Sequence, residues 1–484
     1  MSARADLAQA DVCVVGGGAA GLHVALEASA RGGTVCIVSR TPLTQSASFY
    51  AQGGLAAALS DEDSPEQHAA DTLAAGREAC RASAVDVLAR GAPREVERLL
   101  ERGVAFDVDK HGELALALEG GHSQRRVIHA GGSETGKAIT RTLAELVNAD
   151  PSIQTLERTS ATSLWSDGGR CIGALTEGGA ILAAATVLTT GGGAALWSRT
   201  TNPRGAIAAG AVLAHNAGAS LADLELCQFH PTALALEGSP HDGALITEAL
   251  RGDGAHLLDA RGDRFTDELA PRDAVTAAVL AQMNADGSDS VFIDLRNLDL
   301  SSYTTVVSSV KAAGIDPATE LVPVAPAAHY LIGGVRCDLD GRTTLPGLYT
   351  AGEAAATGLH GANRLASNSL SECFVFGTRA AVAALQEPTV RAAEPDPIEA
   401  FAPPAPATRE AVWAAAGPVR SEEGLETLLA DPYPVARMIA ASALARRESR
   451  GGHQRRDSPR ADSALDGVHF VCTPDGQVKS ELWR

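Results

Sequence analysis

Three glycines spaced Gly16-x-Gly18-x-x-Gly21 follow a short apolar run, Val12-Cys13-Val14-Val15, and precede a helix-compatible segment, Leu22 to Arg31. Glycine there permits a tight turn and lets backbone N–H groups approach a pyrophosphate at a helix N-terminus, so the pattern predicts dinucleotide binding. The bland alternative is a turn that only packs helix on strand. An NAD site usually carries an acid at the end of the second strand to hold the ribose hydroxyls. Here that strand, Val35 to Val38, ends in Ser39-Arg40 and the next acid is Asp61, which disfavours NAD and leaves a flavin open. Farther along, Arg272 and Arg364 offer planar forks matched to carboxylates. His230, His329 and Thr247 can add donors. Taken singly, a histidine before proline reads as a satisfied structural residue, and Arg272-Asp273 as a surface pair.

Elements must carry these groups. The first forty residues read as one β-α-β unit, stopped at Gly32-Gly33, which implies a parallel sheet with a right-handed crossover. Helical periodicity returns around Ala79 to Arg102, and Ala180 to Thr190 reads as a further strand ending in three glycines. Between about 222 and 334 His, Arg, Asp and Pro become dense and the sheet pattern fades; at Gly347 to Glu353 a strand-to-glycine turn reappears. One nucleotide-binding domain split by an insertion accounts for this order, with parts 1–221 and 335–386 around an inserted 222–334. Residues 387–408 read as a Pro/Ala-rich, semi-rigid linker, and 409–484 as a helical C-terminal region with helices near Ser421–Leu429 and Pro434–Arg447 and a polar tail from Arg450.

Composition narrows the class. The 484 residues include 45% apolar and 20% charged side chains, enough to bury large cores. With 40 basic against 59 acidic groups the net charge is −19, which argues against nucleic-acid binding through a basic face. No uncharged apolar run suits a membrane span, since Ile181 to Trp197 is broken by Gly191, Gly192 and Gly193. The first residues lack a secretory pattern, so a cytoplasmic protein is expected. The eight cysteines, at 13, 36, 80, 171, 227, 337, 373 and 472, form no close metal spacing and read as buried, reduced thiols; no metal site is expected.

Several ordered segments resemble the flavoprotein family of succinate dehydrogenases, fumarate reductases and L-aspartate oxidases. They are VVGGGAAGL at 14–22, SFYAQGG at 48–54, QFHPT at 228–232, TEALRGDGA at 247–255 and PRD at 271–273. PAAHYLIGGV at 326–335, LYTAGE at 348–353, GLHGANRLASNSLSE at 358–372 and ARRESRGGH at 445–453 continue the series. EGGHS at 119–123 looks most like the L-aspartate oxidase branch. The resemblance implies an α/β fold: a Rossmann-like FAD-binding domain interrupted by an inserted α+β capping domain, then a short helical C-terminal region. It implies oxidation of L-aspartate to iminoaspartate by FAD, with oxygen or fumarate reoxidising the flavin, as the entry to quinolinate and NAD. Quinolinate synthase, the next enzyme, is a candidate partner.

By position, the resemblance puts FAD contacts on Gly16, Gly17, Gly18, Ala19, Ala20, Gly21 and Arg40. It adds Ala47, Ser48, Phe49, Tyr50, Ala51, Gln52, Gly53 and Gly54, then Glu353, Ser369 and Leu370. Membrane-bound members attach FAD to a histidine where this chain has Ala47, so non-covalent FAD is expected. The family's aspartate in a Gly-Asp-Gly turn is Ala209 here, a departure that bears on FAD affinity.

The same resemblance places Arg272, His230, His329 and Arg364 in catalysis, and Glu119, Thr247, Glu248, His230, His329 and Arg364 around the substrate. L-Aspartate brings two carboxylates and one ammonium; Glu119 would pair with the ammonium, which succinate and fumarate lack. Such a pair is worth roughly 1.5–4 kcal/mol of discrimination. Without the resemblance, Glu119 reads as a solvated loop acid. Arg272 corresponds to the family's proton donor and acceptor. Deprotonating an ordinary guanidinium at pH 7 costs about 9 kcal/mol, so in aspartate oxidation its expected work is fixing a carboxylate and stabilising developing charge. The first rival reading is a soluble fumarate reductase or succinate dehydrogenase flavoprotein; the second is a flavin-bearing sensor that catalyses nothing.

Overall fold

The computed structural model describes residues 6–393 and 402–484. Strand β1 (Asp6–Val15), helix α1 (Ala19–Ser29) and strand β2 (Val35–Ser39) form the first unit. The strand and helix both start earlier than the apolar runs suggested, because Ala19 and Ala20 are already helical directly behind the glycine turn. Gly16 has φ +121°, and a Cβ there would lie 2.3 Å from the Thr189 carbonyl oxygen. A Cβ on Gly21 would lie 1.9 Å from the Gly16 carbonyl oxygen, so only glycine lets the helix sit this close to the strand.

β1 pairs in parallel with β2 and with Gly179–Leu188; β2 pairs in parallel with Ile153–Glu157, and Leu348–Thr350 adds in parallel to Gly179–Leu188. An antiparallel ribbon, Ala161–Asp167 and Arg170–Thr176, completes a seven-stranded sheet among the described residues. Val12, Cys13, Val14 and all of β2 are buried, the near-continuous apolar text of a sheet covered on both faces. Six further residues, in β3 (Leu55–Ala56), β4 (Leu116–Ala117) and β5 (Val127–Ile128), make a small three-stranded sheet beside it.

The inserted segment is not poor in sheet. Cys227–Leu234, Val322–Leu331, Val291–Asp294 and His256–Leu258 form a four-stranded antiparallel sheet. Helices Arg272–Asp286 and Thr304–Ala312 complete it around a core of its own that includes Leu234, Ile246, Val275, Val291 and Val322. Cys227–Leu234 is buried at every position, so no alternation marked it as a strand.

Part of the stretch read as a linker, residues 394–401, lies outside the described residues; helix Pro406–Ala416 begins within the remainder. Helices Glu422–Leu428 and Pro434–Ala445 follow as expected. These helices share one core with the large sheet: Val412, Leu425 and Ile439 pack in the cluster that holds Val15, Leu188 and Trp197. The polar tail carries more order than its composition suggested. Val468–Cys472 and Val478–Leu482 form a hairpin, and the first of them pairs with Leu221–Ala222. All eight cysteines are unpaired thiols, and all but Cys373 are buried.

Candidate active site

One cavity of about 640 Å³ runs from the Gly16–Gly18 turn to the inserted sheet. Of the residues expected at the cofactor, all line it except Gly21 and Phe49. Gly21 instead lets helix meet strand, and the Phe49 ring packs edge-on against Tyr50, with centroids 5.4 Å apart. All of the residues expected at the substrate line the same cavity: Glu119, His230, Thr247, Glu248, Arg272, His329 and Arg364.

The cofactor end fits a pyrophosphate-bearing nucleotide. Helix α1 is N-capped by Gly18 with no side-chain cap, and the Ala19 N–H donates to Ser48 Oγ at 3.2 Å. Gly16 to Ala20 line the cavity at this helix end, where an anion is favoured. Gln52 Oε1 and Thr190 Oγ1, on residues that line this cavity, are buried without a hydrogen-bond partner among the described residues, as expected of atoms that a polar cofactor satisfies. Arg40 lies on the rim and donates to the Gly205 carbonyl oxygen at 2.8 Å. Glu353 accepts from the Leu331 N–H at 3.2 Å, and burial pushes its carboxyl up to about 8. Ala47 has no nucleophilic atom, which agrees with FAD held without a covalent bond.

The inserted sheet and the returning loop supply the other end. In Cys227–Leu234 the register slips between His230 and Ala233, where Pro231 cannot donate to the ladder; such bulges re-aim side chains. His230 Nδ1 accepts from the Thr232 N–H at 3.3 Å, which leaves Nε2 to carry the proton. His329 Nδ1 shares a 2.7 Å hydrogen bond with Thr201 Oγ1, and the two imidazoles lie 5.1 Å apart. Both are held well below the usual histidine range, first by burial and then by neighbouring cations, Arg272 foremost. They are neutral donors at pH 7.

Arg272 opens its helix directly after Pro271. Its Nε donates to Glu248 Oε2 at 2.6 Å and an NH1 proton to Gln228 Oε1 at 2.9 Å. Gln228 Nε2 in turn donates to the Arg364 carbonyl oxygen at 2.7 Å, which ties the two arginines through one amide. Arg364 is 4% exposed, stacks 4.8 Å over the Tyr330 ring, and donates to Ser369 Oγ at 3.1 Å, yet its Nε has no partner among the described residues. Burial, then the nearby Arg272, lowers its pKa to about 10. Arg251 is also buried with Nε and an NH2 group unpartnered, 3.6 Å from Glu248. Arg364, a buried guanidinium that lines the cavity with a free donor, can receive an anion there.

Glu119 sits at the edge of this basic group. It is 6% exposed, not a solvated loop acid. Ser367 Oγ donates to its Oε2 at 2.6 Å, and His129 Nε2 lies 3.3 Å from its Oε1. Burial pushes the carboxyl up, but His129 and Ser367 outweigh it and hold the pKa down to about 2. The Arg272-Asp273 step is not a surface pair either. Arg272 points inward, while Asp273 takes a bidentate pair from Arg77 at 2.8 and 2.9 Å.

Sequence reasoning passed over Gln228, Arg251, Ser367 and His129. Three of them lie inside the motifs QFHPT, TEALRGDGA and NRLASN, so their neighbours were a signal; His129 had none.

Residues 11–370 match the family model described as FAD binding domain, and 425–479 match Fumarate reductase flavoprotein C-term. An L-aspartate oxidase of Caulobacter vibrioides is 42% identical over 501 residues, covering 96% of each chain. The chain belongs to the L-aspartate oxidase family. A second member, from Streptomyces coelicolor, is 46% identical over 414 residues, covering 80% of this chain and 71% of the other. Among solved structures, the family fold is shared with the FrdA chain of E. coli quinol fumarate reductase, at TM-score 0.88 and 27% identity, over 98% and 96% of the two chains. Mycobacterium smegmatis Sdh1 is similar at TM-score 0.81 and 30% identity, over 98% and 94%. The cofactor of this family member is FAD. No helix among its described residues is long and apolar enough to cross a membrane.

Proposed function

We propose that the chain oxidises L-aspartate to iminoaspartate, with FAD held at the Gly16–Gly21 turn and along 47–54. The observation that carries this reading is the pairing, in one cavity, of two buried arginines, Arg272 and Arg364 with its unpartnered Nε, with a buried carboxylate, Glu119, kept ionised. Two carboxylates and one ammonium are what that set complements. Arg364, with its free Nε, and Arg272 take the carboxylates, aided by neutral His230, His329 and Thr247; Glu119 takes the ammonium. Bound FAD supplies a hydride acceptor for the substrate Cα, and the amine loses a proton as the C=N bond forms. The chain's own contribution is alignment, exclusion of water and compensation of charge. Oxygen, giving peroxide, or fumarate, giving succinate, would restore the oxidised cofactor.

The imine hydrolyses in water, so a cytoplasmic enzyme that condenses it at once, quinolinate synthase on the way to NAD, is the fitting partner. A succinate dehydrogenase or fumarate reductase shares every carboxylate-binding group, but it has no use for Glu119. The test is peroxide formation under air with L-aspartate, D-aspartate and succinate. Peroxide from L-aspartate alone supports the proposal; peroxide from succinate but not L-aspartate overturns it. Bound aspartate that leaves the flavin band unbleached without oxygen would favour a sensor.

A further inference from the structure

Glu119 cannot set its own position. One oxygen is tied to the loop after Arg364, through the Ser367 hydroxyl at 2.6 Å, and the other faces His129 Nε2 at 3.3 Å. A carboxylate has about four lone-pair sites, so these two contacts leave capacity for a third donor from the cavity. His129 directly follows β5, and its carbonyl oxygen accepts from the Asp107 N–H at 2.8 Å, which fixes the backbone but not the ring. That 3.3 Å approach is the ring's one polar side-chain contact among the described residues. The cofactor segment lies against the same nitrogen: a Cβ on Gly54 would meet the Ile128 carbonyl oxygen and Val127 Cγ1 at 2.4 Å and His129 Nε2 at 3.1 Å. The imidazole nitrogen that faces the carboxylate therefore also sits beside the flavin-side loop.

We propose that His129 is a positioning residue for amine recognition, holding Glu119 so that the site prefers an amino dicarboxylate to a plain one. The inference rests on the reading of Glu119 given above. With His129 Nε2 facing one oxygen and the Ser367 hydroxyl donating to the other, the carboxylate is held in place and keeps lone pairs for one ammonium. Buried ionised Glu119 then meets the substrate amine already desolvated and oriented, so little reorganisation accompanies binding. His129 touches neither of the substrate carboxylates' arginines, so a plain dicarboxylate should not sense its loss.

The experiment compares His129→Leu, His129→Gln and Glu119→Gln in the FAD-loaded protein, reading KM and kcat for L-aspartate and the calorimetric dissociation constant for succinate. His129→Leu should raise KM for L-aspartate about tenfold, keep kcat within about twofold and leave succinate binding unchanged; His129→Gln, whose amide can donate from nearly the same place, should restore most of the loss. Equal weakening of aspartate and succinate, or no recovery with glutamine, would make His129 a structural residue and overturn the inference. A raised KM in Glu119→Gln with none in His129→Leu would overturn it while the role of Glu119 stands. No change in Glu119→Gln would remove that role, and the inference with it.

Discussion

Arg272 and Glu248 are joined by a 2.6 Å hydrogen bond inside the protein, and the other Glu248 oxygen has no hydrogen-bond partner among the described residues. That free oxygen lies 3.6 Å from Arg251, so one carboxylate faces two guanidiniums. Removing its charge leaves both cations less compensated. Glu248→Gln should destabilise the protein by about 2 kcal/mol, below the roughly 3–5 kcal/mol typical of deleting a buried partner, because the amide oxygen still accepts. Urea unfolding of the FAD-loaded protein checks this; an unchanged midpoint would show that Gln228 alone secures Arg272.

Arg364 has the opposite balance: among the described residues no carboxylate pairs with it, and its Nε is unsatisfied. Its substitution should therefore cost activity rather than stability. Arg364→Lys should lower kcat/KM for L-aspartate by about a hundredfold or more, because a point charge cannot fork to a carboxylate. The substrate-free melting temperature should hold or rise, since a buried unpaired cation has been made more adaptable. A lysine variant with near-normal turnover would move the carboxylate site elsewhere.

Legibility followed locality. The glycine turn, β1, α1 and β2 lie within forty residues, and their signal is intact in one window. The arginines and histidines of the site were found only as members of motifs, because nothing local tells an inward Arg272 from its outward-paired neighbour Asp273. Contacts across distance were invisible. The bond from Ser367 to Glu119 spans 248 positions, and Val468–Cys472 finds its partner at Leu221–Ala222. Helix Pro406–Ala416 hid in Pro/Ala-rich text, although proline in its first turn is a recognised start signal.

Glu119→Gln separates amine recognition from carboxylate recognition. The buried carboxylate is ionised at any working pH, with a pKa held to about 2, so the substitution removes one full charge. KM for L-aspartate should rise about tenfold to a thousandfold, corresponding to roughly 1.5–4 kcal/mol, while fumarate reduction stays near its starting rate. Parallel loss of both activities would mean that Glu119 holds the loop rather than the amine.

Ala209 begins the helix Ala209–Asn216 and lines the cavity, at the position where the family's turn has an aspartate. A carboxylate in the first turn of a helix is favoured by about 0.3–1 kcal/mol and can accept from a cofactor hydroxyl. Ala209→Asp should tighten FAD about threefold to tenfold. Titration of the FAD-free chain, followed by flavin fluorescence, measures this; weaker binding would show that the cofactor's own charge lies too close.

The two site histidines give a pH signature. Burial, then Arg272, keeps His230 and His329 well below the ordinary value of 6.5, so the folded protein resists protonating them while the unfolded chain does not. Their contribution to stability is therefore present above pH 6.5 and is lost as pH falls below it, by up to about 1.4 kcal/mol per pH unit for each ring. The double variant His230→Asn, His329→Asn should lose less stability between pH 6.5 and 5 than the parent, whatever its stability at pH 7. Urea unfolding of both FAD-free proteins across that window decides the point. Parallel slopes would mean that the rings carry protons in the folded state, and the substrate clamp would then hold two more positive charges than its arginines supply.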